Sequence, residues 1–257
     1  MPGVSTTGSN SLGTVLVAGR NRVPNPAAGT TAVRGIDTWG VIVHTLSPSP
    51  PCHRGCVGCR SKAEIRAQVL AARREVTPEV HDAEAEALCG HLAGIVRSGQ
   101  TVCAYVPIRF EPGSIALLDT LLRLGARVLL PVARDADGVP QPMQWGDYRP
   151  GGLVPARMGL QEPQQPWLPA EAVADAAVVF VPALAVDATG VRLGRGAGYY
   201  DRTLPLAKPG ARLIAVVRDD ELVDVLPAER HDVRMTHALT PRRGLVELNR
   251  TPGAHGE

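Results

Sequence analysis

The chain has 257 residues, 44% of them hydrophobic and 20% charged, with a formal net charge of +2 at pH 7. That length fits one α/β domain or two small ones, with enough apolar residues for a sizeable core. The near-balance of charge argues against a general nucleic-acid surface. No apolar run reaches the roughly 18–20 residues that span a bilayer, and the N-terminus lacks a basic–apolar–small-residue signal pattern. A cytoplasmic protein without nucleic-acid or membrane partners is expected.

Residues 1–58 are rich in Gly, Ser, Thr, Pro and Asn and have no sustained hydrophobic period, which predicts a poorly ordered extension. A start codon assigned too early, with Val57 as the alternative start, is the simplest source of it. Cys52, Cys56 and Cys59 form C-x3-C-x2-C, a spacing that iron–sulfur sites also use. Their Pro-rich and charged flanks give no surrounding fold, so no cluster is expected. Cys89 and Cys103 lie in apolar contexts and read as small core residues. Five cysteines in a chain of this length suggest no disulfide framework.

The folded domain is expected over 59–245, with a flexible tail at 246–257. It opens on Ser61-Lys62-Ala63-Glu64, a capping box. In the helix that follows, Ile65, Val69, Ala72 and Val76 share one face. Lys62, Arg66 and Arg73 fall within roughly 40° of one another at 100° per residue, a basic stripe that by itself reads as a solvated face. The chain's basic residues are otherwise almost all arginine, Lys208 being the only other lysine. Thr77-Pro78 caps a second helix that runs to about Val96. A strand at 101–106 leads into the loop Pro107–Gly113, a helix at 114–124 and a strand at 126–131. Many Pro, Gly and Gln residues over 135–170 predict long loops with short strands.

A buried strand at Val178–Val181 is followed by Arg192-Leu193-Gly194-Arg195-Gly196-Ala197-Gly198-Tyr199-Tyr200-Asp201, a helix at 198–206 and a strand at 211–217. The alternation of strands and helices predicts an α/β fold, a three-layer arrangement with a largely parallel central sheet and helices on both faces. Ligands in such folds sit beyond the carboxyl ends of the strands, where the 106–111 and 192–201 loops are both expected. No internal repeat is present.

The 192–201 loop reads as an anion site. Its alternating glycines let backbone N–H groups approach a ligand, two arginines add positive charge, and a helix N-terminus begins near Gly198. It is neither a Walker A loop, which needs Gly-Lys-Ser/Thr, nor a Rossmann fingerprint, since Tyr199 breaks the spacing. No G-x-S-x-G elbow or H-E-x-x-H motif occurs. Asp201 would repel a phosphate unless a cation lay between them, and Mg²⁺ is the natural one; its alternative role is a partner for the helix dipole. On their own, Asp232, His231 and Glu111 read as ordinary loop residues.

The whole string from Val181-Pro182 through Leu184-Ala185, Asp187, Gly190 and Arg192–Asp201 resembles the signature of the 5-formyltetrahydrofolate cyclo-ligase family. The resemblance extends from about Ser61 to Pro241, with Val186 in place of the usual Phe. It implies an ATP- and Mg²⁺-dependent ligase of one-carbon metabolism that converts 5-formyltetrahydrofolate to 5,10-methenyltetrahydrofolate. It implies ATP contacts from Lys62, Arg66 and residues Arg192, Leu193, Gly194, Arg195, Gly196, Ala197, Gly198, Tyr199 and Tyr200. Arg73 fits a further arginine of the family. It implies substrate contacts from Val106, Glu111, Met158, Arg195, Gly196, Ala197, Gly198 and Tyr199. Catalysis would fall to Arg192, Arg195 and Tyr199, and metal binding to Asp201 and Asp232. One of Tyr199 and Tyr200 would stack on the pterin while the other joined the core. Ala197 stands where the family often has Gly or Lys, and Met158, beside the G-I-x-E-P-like Gly159–Pro163, where an aromatic is often found. The alternatives are a degenerate folate or nucleotide binder and an unrelated phosphate-ester-binding α/β protein. A monomer, or a weak dimer, is expected.

Overall fold

A computed structural model of the chain describes residues 60–229 and 232–248. The expected extension over 1–58 with Cys52, Cys56 and Val57, and also Cys59 and His231, lie outside the described residues.

Helix α1 (Lys62–Arg74) starts as the capping box dictates: Ser61 accepts from Glu64 N while the Glu64 carboxylate accepts from Ser61 N. It ends at Arg74 with Glu75 as its C-cap, short of Val76, and Pro78 keeps Thr77 extended as the cap of the next helix. Thr77 caps α2 (Pro78–His91), which continues as a 3₁₀ turn at Leu92–Gly94. Strand β1 (Thr101–Cys103), helix α3 (Ile115–Arg123) and strand β2 (Arg127–Val132) follow. The small strands β3 (Asp135–Ala136), β4 (Val139–Pro140), β5 (Gln144–Asp147), β6 (Leu153–Pro155) and β7 (Gln161–Pro163) occupy the loop-rich stretch. Next come β8 (Ala176–Pro182), β9 (Ala185–Asp187), β10 (Arg192–Leu193), α4 (Tyr199–Thr203), β11 (Arg212–Val216), β12 (Leu222–Val223), β13 (His237–Thr240) and β14 (Gly244–Glu247).

Seven strands form the central sheet in the order β14-β13-β11-β8-β1-β2-β5. The five inner strands are mutually parallel, and β14 and β5 run antiparallel at the two edges. Alternate residues of β8 serve opposite faces, as the two-residue period of a strand requires. Val178 and Phe180 pack with Leu88, Leu92, Leu117 and Leu121 of the α2–α3 layer. Val179 and Val181 pack with Leu204, Trp145 and the half-buried Tyr200 on the other side. Each such side chain contributes about 1.5–3 kcal/mol on burial. The second face is thinner than expected: α4 ends at Thr203 and gives way to a 3₁₀ turn at Leu204–Leu206, because Pro205 has no N–H with which to continue an α-helix. Among the described residues no helix is long and apolar enough to cross a membrane.

Two further boundaries differ from the sequence reading. Strand β1 ends at Cys103, and only Ala104 N still bonds to Leu129 O; the chain then swings out toward Pro107. Strand β14 runs to Glu247 and Leu248 is buried, so the folded part extends beyond 245 into the stretch expected to be a tail. Antiparallel pairing with β13 holds it there.

A satellite sheet, β10-β9-β12, separates β8 from the glycine loop. Buried Asp187 fixes its turn, accepting from Thr189 N, Val191 N and Leu226 N at 2.9–3.0 Å. Leu184, Ala185, Val191, Leu193 and Leu226 of this region pack against Ile65, Val69 and Leu70 of α1.

Candidate active site

A cavity of about 330 Å³ opens beyond the carboxyl ends of β1, β2 and β8, the position that the winding of a parallel sheet favours for a ligand. Its walls include Val106, Ile108, Arg109 and Glu111 after β1, Ala133 after β2, and Pro182, Ala183 and Leu184 at the end of β8. The glycine loop closes the remaining side with Arg192, Gly194, Arg195, Gly196, Ala197, Gly198, Tyr199, Tyr200 and Asp201. Gly196 (φ 102°) and Gly198 (φ 81°, the N-cap of α4) hold backbone conformations that disfavour other residues.

The charges in this cavity are paired across its elements. Arg192 Nη2 donates to Asp201 Oδ1 at 2.6 Å, with the Arg192 side chain only 6% exposed and its guanidinium 5.6 Å from the centre of the Tyr200 ring. Arg192 Nε is buried without a hydrogen-bond partner. Arg195 Nε donates to Glu111 Oε1 at 3.0 Å. Glu111 is itself fixed: Oε2 accepts from Ile108 N at 3.3 Å, and its carbonyl oxygen lies 3.1 Å from His81 Nε2. Burial, with a further contribution from Glu111, pushes the Tyr200 hydroxyl far up, so it stays protonated. The Tyr199 hydroxyl donates to Asp135 Oδ1 at 2.5 Å, a bond that also raises its pKa. Both tyrosines line the cavity and both also touch the core, so neither is confined to one of the two roles expected.

Helix α1 brings its basic stripe to three different environments. Arg66 Nε donates to Gly194 O at 2.8 Å, which ties the helix to the glycine loop. Lys62 Nζ lies 3.1 Å from Asp232 Oδ2 and 3.0 Å from Glu229 Oε1. Burial works against its charge, but the two carboxylates outweigh it and raise its pKa. Arg73 is not solvated: it is 2% exposed, binds Glu221 through Nε and Nη2 at 2.7 Å each, and donates to Ala183 O at 2.7 Å. That correction follows from its place on the turn where α1 meets the sheet.

The structure therefore brings Val106, Glu111 and the loop residues 192 and 194–201 into one cavity, with Leu193 buried behind them in β10. Arg66 touches the loop through Gly194 O, Lys62 pairs with Asp232 one helical turn away, and none of the three lines the cavity. The backbone of Met158 lies in a 3₁₀ turn at Arg157–Gly159, and its side chain lies outside what is described. Sequence reasoning missed Tyr105, Arg109, Pro131, Ala133, Met143 and Glu162 as lining residues. For Tyr105, Pro131 and Ala133 a signal existed, since each sits at or just past the carboxyl end of a parallel strand. Glu162 accepts from Ala133 N at 3.0 Å and from Arg134 Nη1 at 3.0 Å. A second, wider groove of about 720 Å³ runs between α1 and α2 over the pairs Arg73–Glu221 and Arg218–Glu84. None of the residues expected to contact ATP, folate or metal lines it.

Fold and site together define an α/β protein with a mostly parallel sheet, whose cavity sets a cationic glycine loop against an acidic loop lined with apolar groups. The chain belongs to the 5-formyltetrahydrofolate cyclo-ligase family, whose profile matches residues 59–241. It is 65% identical over 190 residues to a 5-formyltetrahydrofolate cyclo-ligase of Mycolicibacterium smegmatis, covering 74% of this chain and 98% of that protein. It is 28% identical over 175 residues to the 5-formyltetrahydrofolate cyclo-ligase of Escherichia coli K12, covering 66% and 95%. The fold resembles that of Aquifex aeolicus 5,10-methenyltetrahydrofolate synthetase, with a TM-score of 0.61 at 24% identity over 76% of this chain and 96% of that one. The Mycoplasma pneumoniae 5,10-methenyltetrahydrofolate synthetase gives a TM-score of 0.53 at 18% identity over 68% and 96%. Membership of this family removes the reading as an unrelated phosphate-ester-binding protein.

Proposed function

We propose that this chain converts 5-formyltetrahydrofolate and ATP to 5,10-methenyltetrahydrofolate, ADP and phosphate in a Mg²⁺-dependent reaction. The observation that carries this is the shared cavity: a loop suited to phosphate and an acid suited to pterin N–H groups face each other across 3.0 Å, through Arg195 and Glu111. The names of the 65% and 28% identical relatives support it.

In this reading the formyl oxygen attacks the γ-phosphorus and ADP leaves. N10 then attacks the activated formyl carbon, the C–O bond breaks, and phosphate departs as N10 gives up its proton. Such chemistry depends on alignment and charge neutralisation more than on a strong protein base. Arg192 and Arg195 would neutralise the transferring phosphoryl group. Lys62, Arg66 and the backbone N–H groups of 194–198 would hold the nucleotide phosphates. Glu111 would accept from pterin N–H groups, Val106 would pack on the ring system, and Tyr199 would offer its aromatic face. Met158 would complete the folate pocket.

Among the described residues no three metal-ligating side chains form a ready-made cage. Two carboxylates completed by phosphate oxygens are what Mg²⁺ commonly takes. Asp201 lines the cavity and Asp232 contacts Lys62, one helical turn from the Arg66 that touches the loop. In this reading Asp201, from the cavity wall, and Asp232, beside Lys62, would hold the ion, which would supply charge neutralisation for the nucleotide phosphates.

The test is to mix purified protein with 5-formyltetrahydrofolate and Mg-ATP and follow the near-UV absorbance of the methenyl product. An ATP-dependent rise is expected. A flat trace from folded, ATP-binding protein would overturn the assignment in favour of a degenerate binder.

A further inference from the structure

Three arginines line the cavity: Arg109, Arg192 and Arg195. Arg192 is engaged by Asp201 at 2.6 Å and Arg195 by Glu111 at 3.0 Å. Arg109 has neither hydrogen bond nor ion pair among the described residues, and its side chain is exposed at the rim. Its backbone adopts φ 53°, a left-handed conformation that costs a non-glycine residue roughly 1 kcal/mol. The turn that imposes it is tightly held. Glu111 N donates to Ile108 O at 3.0 Å, Ile108 N donates to Glu111 Oε2 at 3.3 Å, and Pro107 and Pro112 flank the segment. One rigid turn thus presents a carboxylate that is 8% exposed on the inside and a guanidinium on the outside.

We propose that Arg109 reads the glutamate carboxylates of the folate substrate at the mouth of the cavity; this rests on the reading of the cavity as the 5-formyltetrahydrofolate site. A folate is a heterocycle joined through an aminobenzoyl group to a glutamate that is anionic at neutral pH. With its pterin against Glu111, the charged end points outward, since carboxylates resist burial without a partner. A guanidinium offers them paired N–H donors. The other cations near this side are engaged: Arg134 binds Glu162 at 3.0 Å and stacks over Trp167 at 4.2 Å, and Arg157 lies 3.7 Å from Asp135. Nucleotide phosphate is the competing anion, but Arg109 rides on the turn of Glu111 rather than on the glycine loop.

The test crosses a side-chain truncation with a ligand truncation. Arg109→Ala and Arg109→Gly, the latter relieving the backbone conformation, are compared with the parent protein. Equilibrium binding is measured for 5-formyltetrahydrofolate, its triglutamate and 5-formyltetrahydropteroate, which lacks glutamate. Both variants are expected to bind the two glutamate-bearing ligands about five-fold more weakly, the scale of an exposed ion pair. Binding of the pteroate is expected to hold, and the difference to shrink as salt rises. Equal weakening for all three ligands would overturn the proposal by showing that Arg109 only supports Glu111. A raised KM for ATP with unchanged folate binding would overturn it by assigning Arg109 to phosphate, and unchanged binding of every ligand would also overturn it. Failure of the underlying reading looks different: the parent protein itself would bind none of the three.

Discussion

Arg195 Nε and Glu111 Oε1 meet at 3.0 Å, 84 residues apart in sequence, so the side chain expected to hold a phosphoryl group is paired with the one expected to hold a pterin. If both roles hold, a pterin that displaced Arg195 from Glu111 would free the guanidinium for phosphate, and linkage would require the effect to be reciprocal. Glu111→Gln keeps the shape and removes the charge. It is expected to tighten binding of a non-hydrolysable ATP analogue a few-fold in the absence of folate and to weaken 5-formyltetrahydrofolate at least ten-fold. Calorimetric titration of each ligand alone checks this; unchanged nucleotide affinity would show that the pair exerts no restraint on Arg195.

Asp201→Asn tests the metal assignment and carries a structural cost. It leaves the buried Arg192 guanidinium, 6% exposed, without its carboxylate partner, a loss of about 1–3 kcal/mol. The expected outcome is a Tm lower by roughly 2–10 °C, together with Mg²⁺-dependent turnover reduced at least a hundred-fold. Near-parental turnover across a Mg²⁺ titration would remove Asp201 from the metal site.

The basic stripe of α1 divides into two side chains proposed to bind nucleotide, Lys62 and Arg66, and one buried in a structural pair, Arg73. Arg73→Ala strands Glu221, which is 5% exposed, and removing one partner of a buried pair costs about 3–5 kcal/mol. Arg66→Ala loses one part-buried hydrogen bond to Gly194 O, worth about 0.5–1.5 kcal/mol, and is expected to raise the KM for ATP about ten-fold. Urea denaturation should separate the two variants by at least 2 kcal/mol. Equal stabilities would mean that the Arg73–Glu221 pair does not anchor the helix.

His237 gives the fold a dependence on pH. Burial, and then the nearby Arg212 charge, hold its pKa below the ordinary value of 6.5, against a weaker opposing pull from Glu247. The folded chain thus binds its proton less readily than the unfolded chain. The stability from neutral His237 is full above the unfolded pKa and is lost as pH falls through the folded one. Tm is expected to drop between pH 7.5 and 5.5, with a shallower drop in His237→Gln. Parallel curves for the two proteins would rule His237 out as the source.

Much of this was legible in the chain. The capping box at Ser61, the Pro at the start of α2, the apolar run of β8 and the glycines at positive φ are local signals, and each formed the element that its chemistry requires. The misses were long-range. Nothing near Arg73 announces Glu221, 148 residues away, so the stripe read as solvated. Strand β1 looked three residues longer because Ala104, Tyr105 and Val106 have strand-like side chains, whereas what ends the pairing is the turn toward Pro107. Arg109 went unnoticed because a left-handed arginine has no sequence signature. The family motif contains the loop that lines the cavity, and it also contains Asp187, whose carboxylate holds a turn of the satellite sheet.

Helix α1 carries Lys62 and Arg66, yet its apolar residues touch only the satellite cluster around Leu184 and Leu193, not the two clusters that sandwich the main sheet. Loss of the Ile65, Val69 and Arg73 contacts would free this region without unpairing the seven strands. Such a sub-global opening lies below the free energy of complete unfolding. Amide protons of α1 would then exchange with solvent sooner than those of β8 or β11, and a nucleotide clamped by Lys62 and Arg66 would slow that exchange. Exchange in this one helix would then report whether the site is filled.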